Sequence, residues 1–402
     1  MVKKPATRTV VNAVAAAAVA WSDRSYAPRR LARDAASART GYSHPVVDAA
    51  FDRLFVPLTA EAIEATIAEE LGSVEVLDCF VERSGRRRVR ALPIGNVCIV
   101  SSRTTIGVAL VPAIFALCAG CSVLVKDRED HLIAAFLRTL LEVEPDLESR
   151  ARATTWKGAD DAVDLPSFDA VVAFGSDGTL SALAQRLPLT TRFIPHAAKT
   201  SVGYIGAESL VDGRMARTLA RRAANDALLY DGEGCLSLRV LFAERGGRVA
   251  LADLGRFLRD AFVDAARVFP SALSPADAAR VAMMRDAALV RTSEATVFSD
   301  AHASYLVLAD PPDDDPPSFL PRTLRLLSVS GTAEAAAYLQ RHGIAIEALA
   351  VSGNRDDYAD LAATLGAARI APFGSLQSPP TSNAHGGRPR IAEFVRWLAD
   401  ET

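Results

Sequence analysis

The sequence predicts an α/β chain in which a helical N-terminal segment precedes a doubly wound sheet and then a second strand–helix series. Three observations carry this reading. Helix signals dominate residues 10–72, and short β-branched runs alternate with helical stretches from residue 97 onward. Half of the 402 residues (50%) are hydrophobic against 23% charged, which supplies a substantial core and excludes intrinsic disorder.

The helical preface comprises the alanine-rich stretch from Val10 to Trp21, a segment opening at Pro45-Val-Val-Asp, and Thr59 to Leu71, which opens on Thr-Ala-Glu-Ala. Strands are expected at Val97 to Val100, Ser122 to Lys126, Ala170 to Phe174 and Ser201 to Ile205. Between them, Ile106 to Leu117, Leu132 to Val143 and Gly178 to Leu187 are long enough to cross over between parallel strands. The second series begins near residue 212 with a helix from Gly213 to Leu229 and a strand from Leu236 to Ala243. It continues through helices from Leu251 and from Pro275 to strand-like runs at Ser304 to Leu308 and Ile346 to Ser352. A last amphipathic helix is expected over Ile391 to Leu398.

Charge and cysteine content narrow the function. Forty-five Lys and Arg against 48 Asp and Glu leave a net charge of −3, so no global field favours nucleic acid. Five scattered cysteines argue against a secreted disulfide framework and for a reducing cytoplasm. Lys3, Lys4 and Arg8 before the apolar stretch imitate a signal peptide, but the stretch is mostly alanine, contains Asn12 and runs into Ser22-Asp23-Arg24. It reads as a helix of a soluble protein, and no segment has the run of about 18 apolar residues that spans a bilayer.

Cys235 is the most informative residue. It stands in Asp231-Gly-Glu-Gly-Cys-Leu-Ser, between a long helix and a strand, where flanking glycines admit close approach of a substrate and the Cys235 N–H can face a developing oxyanion. Spacing alone leaves two readings open, a thiol nucleophile and a buried cysteine at a strand start. Cys118-Ala-Gly-Cys121 has the spacing of a metal or redox pair but lies between a helix end and an apolar strand, so it reads as packing. Lys126 leaves the carboxyl end of a parallel strand, where open α/β sheets bind cofactors. The segment Asp310-Pro-Pro-Asp-Asp-Asp-Pro-Pro reads as a solvated loop without chemistry. The common nucleotide, zinc-protease and hydrolase signatures are missing.

Together these segments resemble a known superfamily. Pro93-Ile-Gly-Asn-Val-Cys-Ile-Val, Ala119-Gly-Cys-Ser-Val-Leu-Val-Lys126, Phe174-Gly-Ser-Asp-Gly178 and the later Gly-Cys235 are similar in order to the aldehyde dehydrogenases. Within that superfamily, Ala20-Trp-Ser-Asp-Arg-Ser-Tyr with Thr40-Gly-Tyr, and Arg369-Ile-Ala-Pro-Phe-Gly with His385-Gly-Gly-Arg-Pro-Arg-Ile-Ala-Glu-Phe-Val-Arg-Trp397, resemble the bioluminescence-type (LuxC-like) acyl-CoA reductases.

The resemblance implies an aldehyde-dehydrogenase-like fold of two doubly wound Rossmann-like domains. It divides the chain into a helical N-terminal segment (1–80), an NAD(P)-binding domain (81–211), a catalytic domain (212–372) and a C-terminal segment (373–402) that packs back or oligomerises. It implies NADPH-dependent reduction of an acyl-CoA or carrier-bound acyl thioester through an acyl-cysteine at Cys235, in a cleft between the domains. Lys126 would lie by the adenosine ribose or its phosphate, and Gly175 and Ser176 by the pyrophosphate. A homo-oligomer, and an acyl-transfer partner protein, are further implications.

The chain also departs from the superfamily. The stretch that carries the hydrolytic glutamate in aldehyde-oxidising relatives reads Pro195-His-Ala-Ala-Lys199, with no carboxylate, so thioester reduction is favoured over acid formation and His196 is the candidate proton donor or base. The oxyanion-hole asparagine falls near Arg103-Thr104-Thr105, with Thr104 as its replacement, and the nicotinamide-ribose element falls near Pro321-Arg-Thr-Leu-Arg. Two alternatives stand beside this reading: an acyl-phosphate reductase of the same superfamily, and a noncatalytic subunit that binds acyl carriers.

Overall fold

The computed structural model describes residues 5–83, 87–102, 105–127, 131–156, 164–271, 273–291, 296–309, 319–353 and 355–401. Thr104 and the acidic proline-rich segment at 310–317 lie outside them. The chain forms two compact units, residues 1–40, 47–198 and 380–402 in one, residues 41–46 and 199–379 in the other.

The first unit opens with four helices: α1 (Thr7–Ser22), α2 (Ala27–Thr40), α3 (His44–Phe55, whose first residues belong to the other unit) and α4 (Ala60–Leu71). The alanines of α1 are core: Ala13, Ala17 and Ala18 are buried with Val10, Val11, Val14 and Trp21, and their small size lets α1 pack against its neighbours. Trp21 meets Phe51, Phe55 and Phe136, and its indole N–H donates to Thr139 Oγ1 at 3.0 Å. α4 is capped by Thr59, which accepts from the Ala62 N–H, and ends on left-handed Gly72.

Its parallel sheet consists of β3 (Asn96–Val100), β4 (Ser122–Lys126), β5 (Ala151–Thr154), β6 (Ala170–Gly175) and β7 (Arg192–Ala197), in the order β5-β4-β3-β6-β7. Helices α5 (Leu110–Ala119), α6 (Leu132–Val143) and α7 (Asp177–Ala184) connect these strands. Strand order reverses at β3, between β4 and β6, which fixes the topological switch point of this unit. Beside it, β1 (Val81–Glu82), β2 (Arg88–Pro93) and the last strand β15 (Val395–Asp400) form an antiparallel ribbon.

That last strand corrects the expected helix over residues 391–398. The chain makes one 3-10 turn, Ala392–Phe394, and then pairs with β2 from Val395 opposite Pro93 to Asp400 opposite Arg88. The Glu70 carboxylate accepts the N–H groups of Arg390 (2.5 Å), Ile391 (2.8 Å) and Ala392 (3.0 Å), directing the backbone into the ribbon.

The second unit holds a seven-stranded sheet, built from β8 (Thr200–Ile205), β9 (Leu238–Glu244), β10 (Val297–Ser299), β11 (Leu306–Ala309), β12 (Thr323–Val329), β13 (Ile346–Val351) and β14 (Arg369–Pro372). The order is β10-β11-β12-β9-β8-β13-β14, parallel except for the edge pair β10–β11. Helices α8 (Gly213–Leu228), α9 (Leu251–Val268), α10 (Pro275–Arg291), α11 (Thr332–Arg341) and α12 (Ala359–Thr364) complete it. Its core includes Val202, Tyr204, Phe242, Leu327, Tyr338 and Leu349.

The units divide at 198/199, where the sequence reading drew the boundary at 211/212. Residues 200–205 pair with β9 and β13, so they belong to the second sheet. No helix among the described residues is long and apolar enough to cross a membrane.

Removing the Glu70 carboxylate leaves three backbone donors without their acceptor. Glu70→Ala is expected to lower stability by about 1–3 kcal/mol in urea unfolding and to speed hydrogen exchange at residues 390–400. Unchanged protection there would show that Glu70 does not fix the C-terminal strand.

Candidate active site

Cys235 follows an uncommon stretch of backbone. After α8, Tyr230 (φ 58°), Asp231 (φ 52°) and Gly232 (φ 78°) are left-handed in succession, a conformation that costs about 1–2 kcal/mol for each non-glycine residue. A buried ion pair holds the turn: Arg322 Nη1 lies 2.8 Å from Asp231 Oδ1, with 1% and 9% of the two side chains exposed. The Arg322 N–H donates to the Asp231 carbonyl at 2.7 Å, and Ser271 Oγ donates to Asp231 Oδ2 at 3.0 Å. Arg322 also donates to the carbonyls of Ser304 (2.9 Å) and Phe269 (3.1 Å). Gly232 is required twice over, since a Cβ there would stand 2.8 Å from the Arg239 guanidinium.

The other side of the loop is held as firmly. Ser201 Oγ donates to the Cys235 carbonyl at 2.9 Å. The buried Asp226 carboxylate accepts the N–H groups of Gly374 (2.6 Å) and Leu376 (3.1 Å), and Gln377 Nε2 donates to the Asp226 carbonyl (3.1 Å) and to Ser237 Oγ (3.0 Å). The motif at residues 369–374 therefore leads into a segment that braces the cysteine loop.

The thiol is half-buried, and burial pushes it up to about 12. The Glu347 carboxylate acts in the same direction, whereas the N–H groups of Cys235 and Leu236, and more weakly Lys199, favour the thiolate. The thiol is thus protonated at neutral pH. Glu347 itself is buried in β13, and Lys199 Nζ lies 3.7 Å from its Oε2. The stretch at 195–199 lacks a carboxylate, as read from sequence, but β13 carries one near enough for its charge to act on the thiol. Sequence reading passed over Glu347 because it stands in an apolar strand, although a charge in such a strand was itself the available signal.

The remaining sequence-predicted residues lie in the first unit. Lys126 ends β4, with Nζ 4.9 Å from the Trp156 ring centroid. Gly175 ends β6, and Ser176 caps α7 by accepting from the Thr179 N–H. Both segments lie at the carboxyl edge of the sheet around its switch point, the edge at which open α/β sheets bind ligands, and a Cβ at Gly175 would press on Thr179 at 3.3 Å. Asp177 occupies the first turn of α7, so the fit there rests on backbone approach rather than on an uncontested positive helix end.

His196 lies in β7 opposite Phe174 of β6. Its ring stacks on Phe174 (centroids 4.6 Å apart, 10° between planes) and faces His385 at 4.5 Å. No local pattern marks the His385 contact, which depends on the C-terminal segment returning to this unit. Cys235 and His196 thus belong to different compact units. Cys118 and Cys121 are buried, and Cys121 Sγ contacts the Phe394 carbonyl at 3.4 Å. Among the described residues no group of three or more His, Cys, Asp or Glu side chains could hold a metal ion.

Two measurements check this site. Truncating Arg322 to Ala strands a buried carboxylate and is expected to cost about 3–5 kcal/mol of stability, against less than about 1 kcal/mol for an exposed arginine such as Arg267. The ultraviolet thiolate difference between wild type and Cys235→Ser should be absent at neutral pH and grow only towards pH 12. The folded thiol lies above its unfolded value of about 8.5, so its stabilising contribution is full below that pH and is lost as pH rises through the folded value. A thiolate signal at neutral pH would contradict the assigned environment.

Comparison with known proteins follows the same lines. No curated protein matches the chain. Among solved structures, the NAD-dependent benzaldehyde dehydrogenase from Corynebacterium glutamicum superposes with a TM-score of 0.71 at 13% identity, covering 99% of this chain and 86% of that one. Aldehyde dehydrogenase 21 from Physcomitrella patens, in complex with succinate, gives 0.72 at 14% identity over 99% and 86% of the two chains. A variant of aldehyde dehydrogenase C from Pseudomonas syringae, complexed with NAD+ and octanal, gives 0.70 at 15% identity over 98% and 84%. The fold is aldehyde-dehydrogenase-like. The model of the LuxC acyl-CoA reductases matches residues 2–397, nearly the full length, and with the glycine-flanked cysteine and the braced end motifs in place, the chain belongs to that family.

Proposed function

We propose that the protein reduces an acyl-CoA, or an acyl thioester on a carrier, to the aldehyde with NADPH, through an acyl-cysteine at Cys235. The observation that carries this reading is the fixed, glycine-flanked thiol of Cys235 in a chain of the acyl-CoA reductase family. A thiolate attacks the acyl carbon, the C–S bond to CoA breaks, and the acyl group rests on Cys235 as a thioester that keeps its reactivity. NADPH, when bound, supplies the hydride. Lys126, Gly175 and Ser176, at the ends of β4 and β6 and at the start of α7, are the residues proposed to hold it, Lys126 at the ribose or its phosphate. As the carbonyl reforms, the bond to Cys235 breaks and the departing thiolate takes up a proton from solvent, returning Cys235 to its resting thiol.

The test is a panel of acyl-CoAs of increasing chain length, followed by NADPH absorbance and aldehyde trapping, with mass spectrometry of Cys235 in the absence of nucleotide. Acylation at Cys235, its loss in Cys235→Ala and matched aldehyde formation are expected. NADPH consumption with acyl phosphates but not acyl-CoAs would replace the proposed substrate. Nucleotide binding without any acylation would mark a noncatalytic subunit.

A further inference from the structure

The parallel strands of the second unit bring three chemically distinct side chains to one edge. In the order β9-β8-β13, Cys235 lies just before β9, Lys199 lies just before β8, and Glu347 is the second residue of β13. Parallel pairing places these starts side by side: Ser201 is opposite both Leu238 and Ala348, and the Thr200 N–H donates to the Ala345 carbonyl at 3.0 Å. Ser201 Oγ also holds the Cys235 carbonyl at 2.9 Å. Glu347 is only 4% exposed, its main-chain carbonyl accepts from the Ala368 N–H at 3.0 Å, and Lys199 Nζ stands 3.7 Å from its carboxylate. A carboxylate is costly to bury, and a structural pair would serve as well further from a nucleophile.

The geometry points to Glu347 as the group that takes the Cys235 proton when the thiol attacks, with Lys199 as the positioning residue that holds the carboxylate. In the first half-reaction the Cys235 S–H bond breaks as the Glu347 O–H bond and the bond from Cys235 Sγ to the acyl carbon form. The bond from that carbon to the CoA sulfur then breaks, and Glu347 returns the proton to the departing thiolate, giving free CoA thiol. No electron leaves or enters in these steps. This role deepens the proposed acyl transfer and rests on it, but the acceptance of the thiol proton is measurable without any acyl substrate. The charged groups acting on the thiol among the described residues are Glu347 from β13 and Lys199 from the start of β8.

The experiment uses the full chain and iodoacetamide, with Cys235 alkylation followed by mass spectrometry between about pH 6 and 10. Here the proton again passes to Glu347, and iodide is the leaving group. Wild type is expected to show a rate that is nearly independent of pH near neutrality. Glu347→Gln should lower that rate by about 10²-fold at neutral pH and leave a rate that climbs about tenfold per pH unit. The opposite sign separates this from simple electrostatics. If Glu347 were only a nearby negative charge, its neutralisation would make the thiolate easier to form and alkylation faster, and an unchanged or faster rate overturns the proposal. Lys199→Met provides the second variant: a rate that is lowered but still independent of pH supports Lys199 as the residue that positions the base, whereas a rate that climbs about tenfold per pH unit with the carboxylate intact would overturn the assignment by making Lys199 the activator. Normal alkylation behaviour in a protein that no acyl-CoA acylates would remove the proposed substrate while leaving the role of Glu347 at the thiol standing.

Discussion

The buried pair between Arg322 and Asp231 is the constraint from which the cysteine loop takes its shape. Two left-handed non-glycine residues, Tyr230 and Asp231, are unfavourable on their own. Arg322, itself left-handed (φ 54°), holds Asp231 from 91 residues further along the chain, through its side chain and its own N–H. A guanidinium suits the task because several donors leave it in a fixed plane, reaching the carboxylate and the carbonyls of Phe269 and Ser304 together. The strain in the turn is thereby supported by the sheet, since Arg322 immediately precedes β12.

The chemistry follows from a second constraint, the parallel direction of the strands. Because β8, β9 and β13 run the same way, their starts share one edge, and residues far apart in sequence meet there without a dedicated binding loop. The result is a thiol that is protonated at rest, under a carboxylate charge that opposes its ionisation. Such an arrangement withholds reactivity until a proton moves. It differs from a thiol lowered by a helix N-terminus or an imidazolium, which is armed continuously.

Much of this was legible in the amino-acid sequence. Strands β3, β4, β6, β8, β9 and β13 stand out as short apolar runs, and the glycines at 232 and 234 single out Cys235 before any coordinates are consulted. What local patterns omit is partnership. Residues 192–197 and 200–205 are adjacent strands, yet they enter different sheets, and only pairing with β6 on one side and β9 and β13 on the other separates them. Residues 391–398 carry a helical period, but three N–H groups donating to Glu70 and an open edge on β2 outweigh it. Glu347 is concealed by the apolar residues on either side, and the link from Asp231 to Arg322 has no short-range signature.

The first unit is assembled from chain segments that flank the second, and this sets an order of events during synthesis. β2 and Glu70 leave the ribosome hundreds of residues before β15 and the amides at 390–392. Until residues 395–400 emerge, one edge of β2 has no strand beside it, an arrangement that invites pairing with other nascent chains. The second unit is nearly continuous and can mature first, leaving residues 380–402 to close the earlier one.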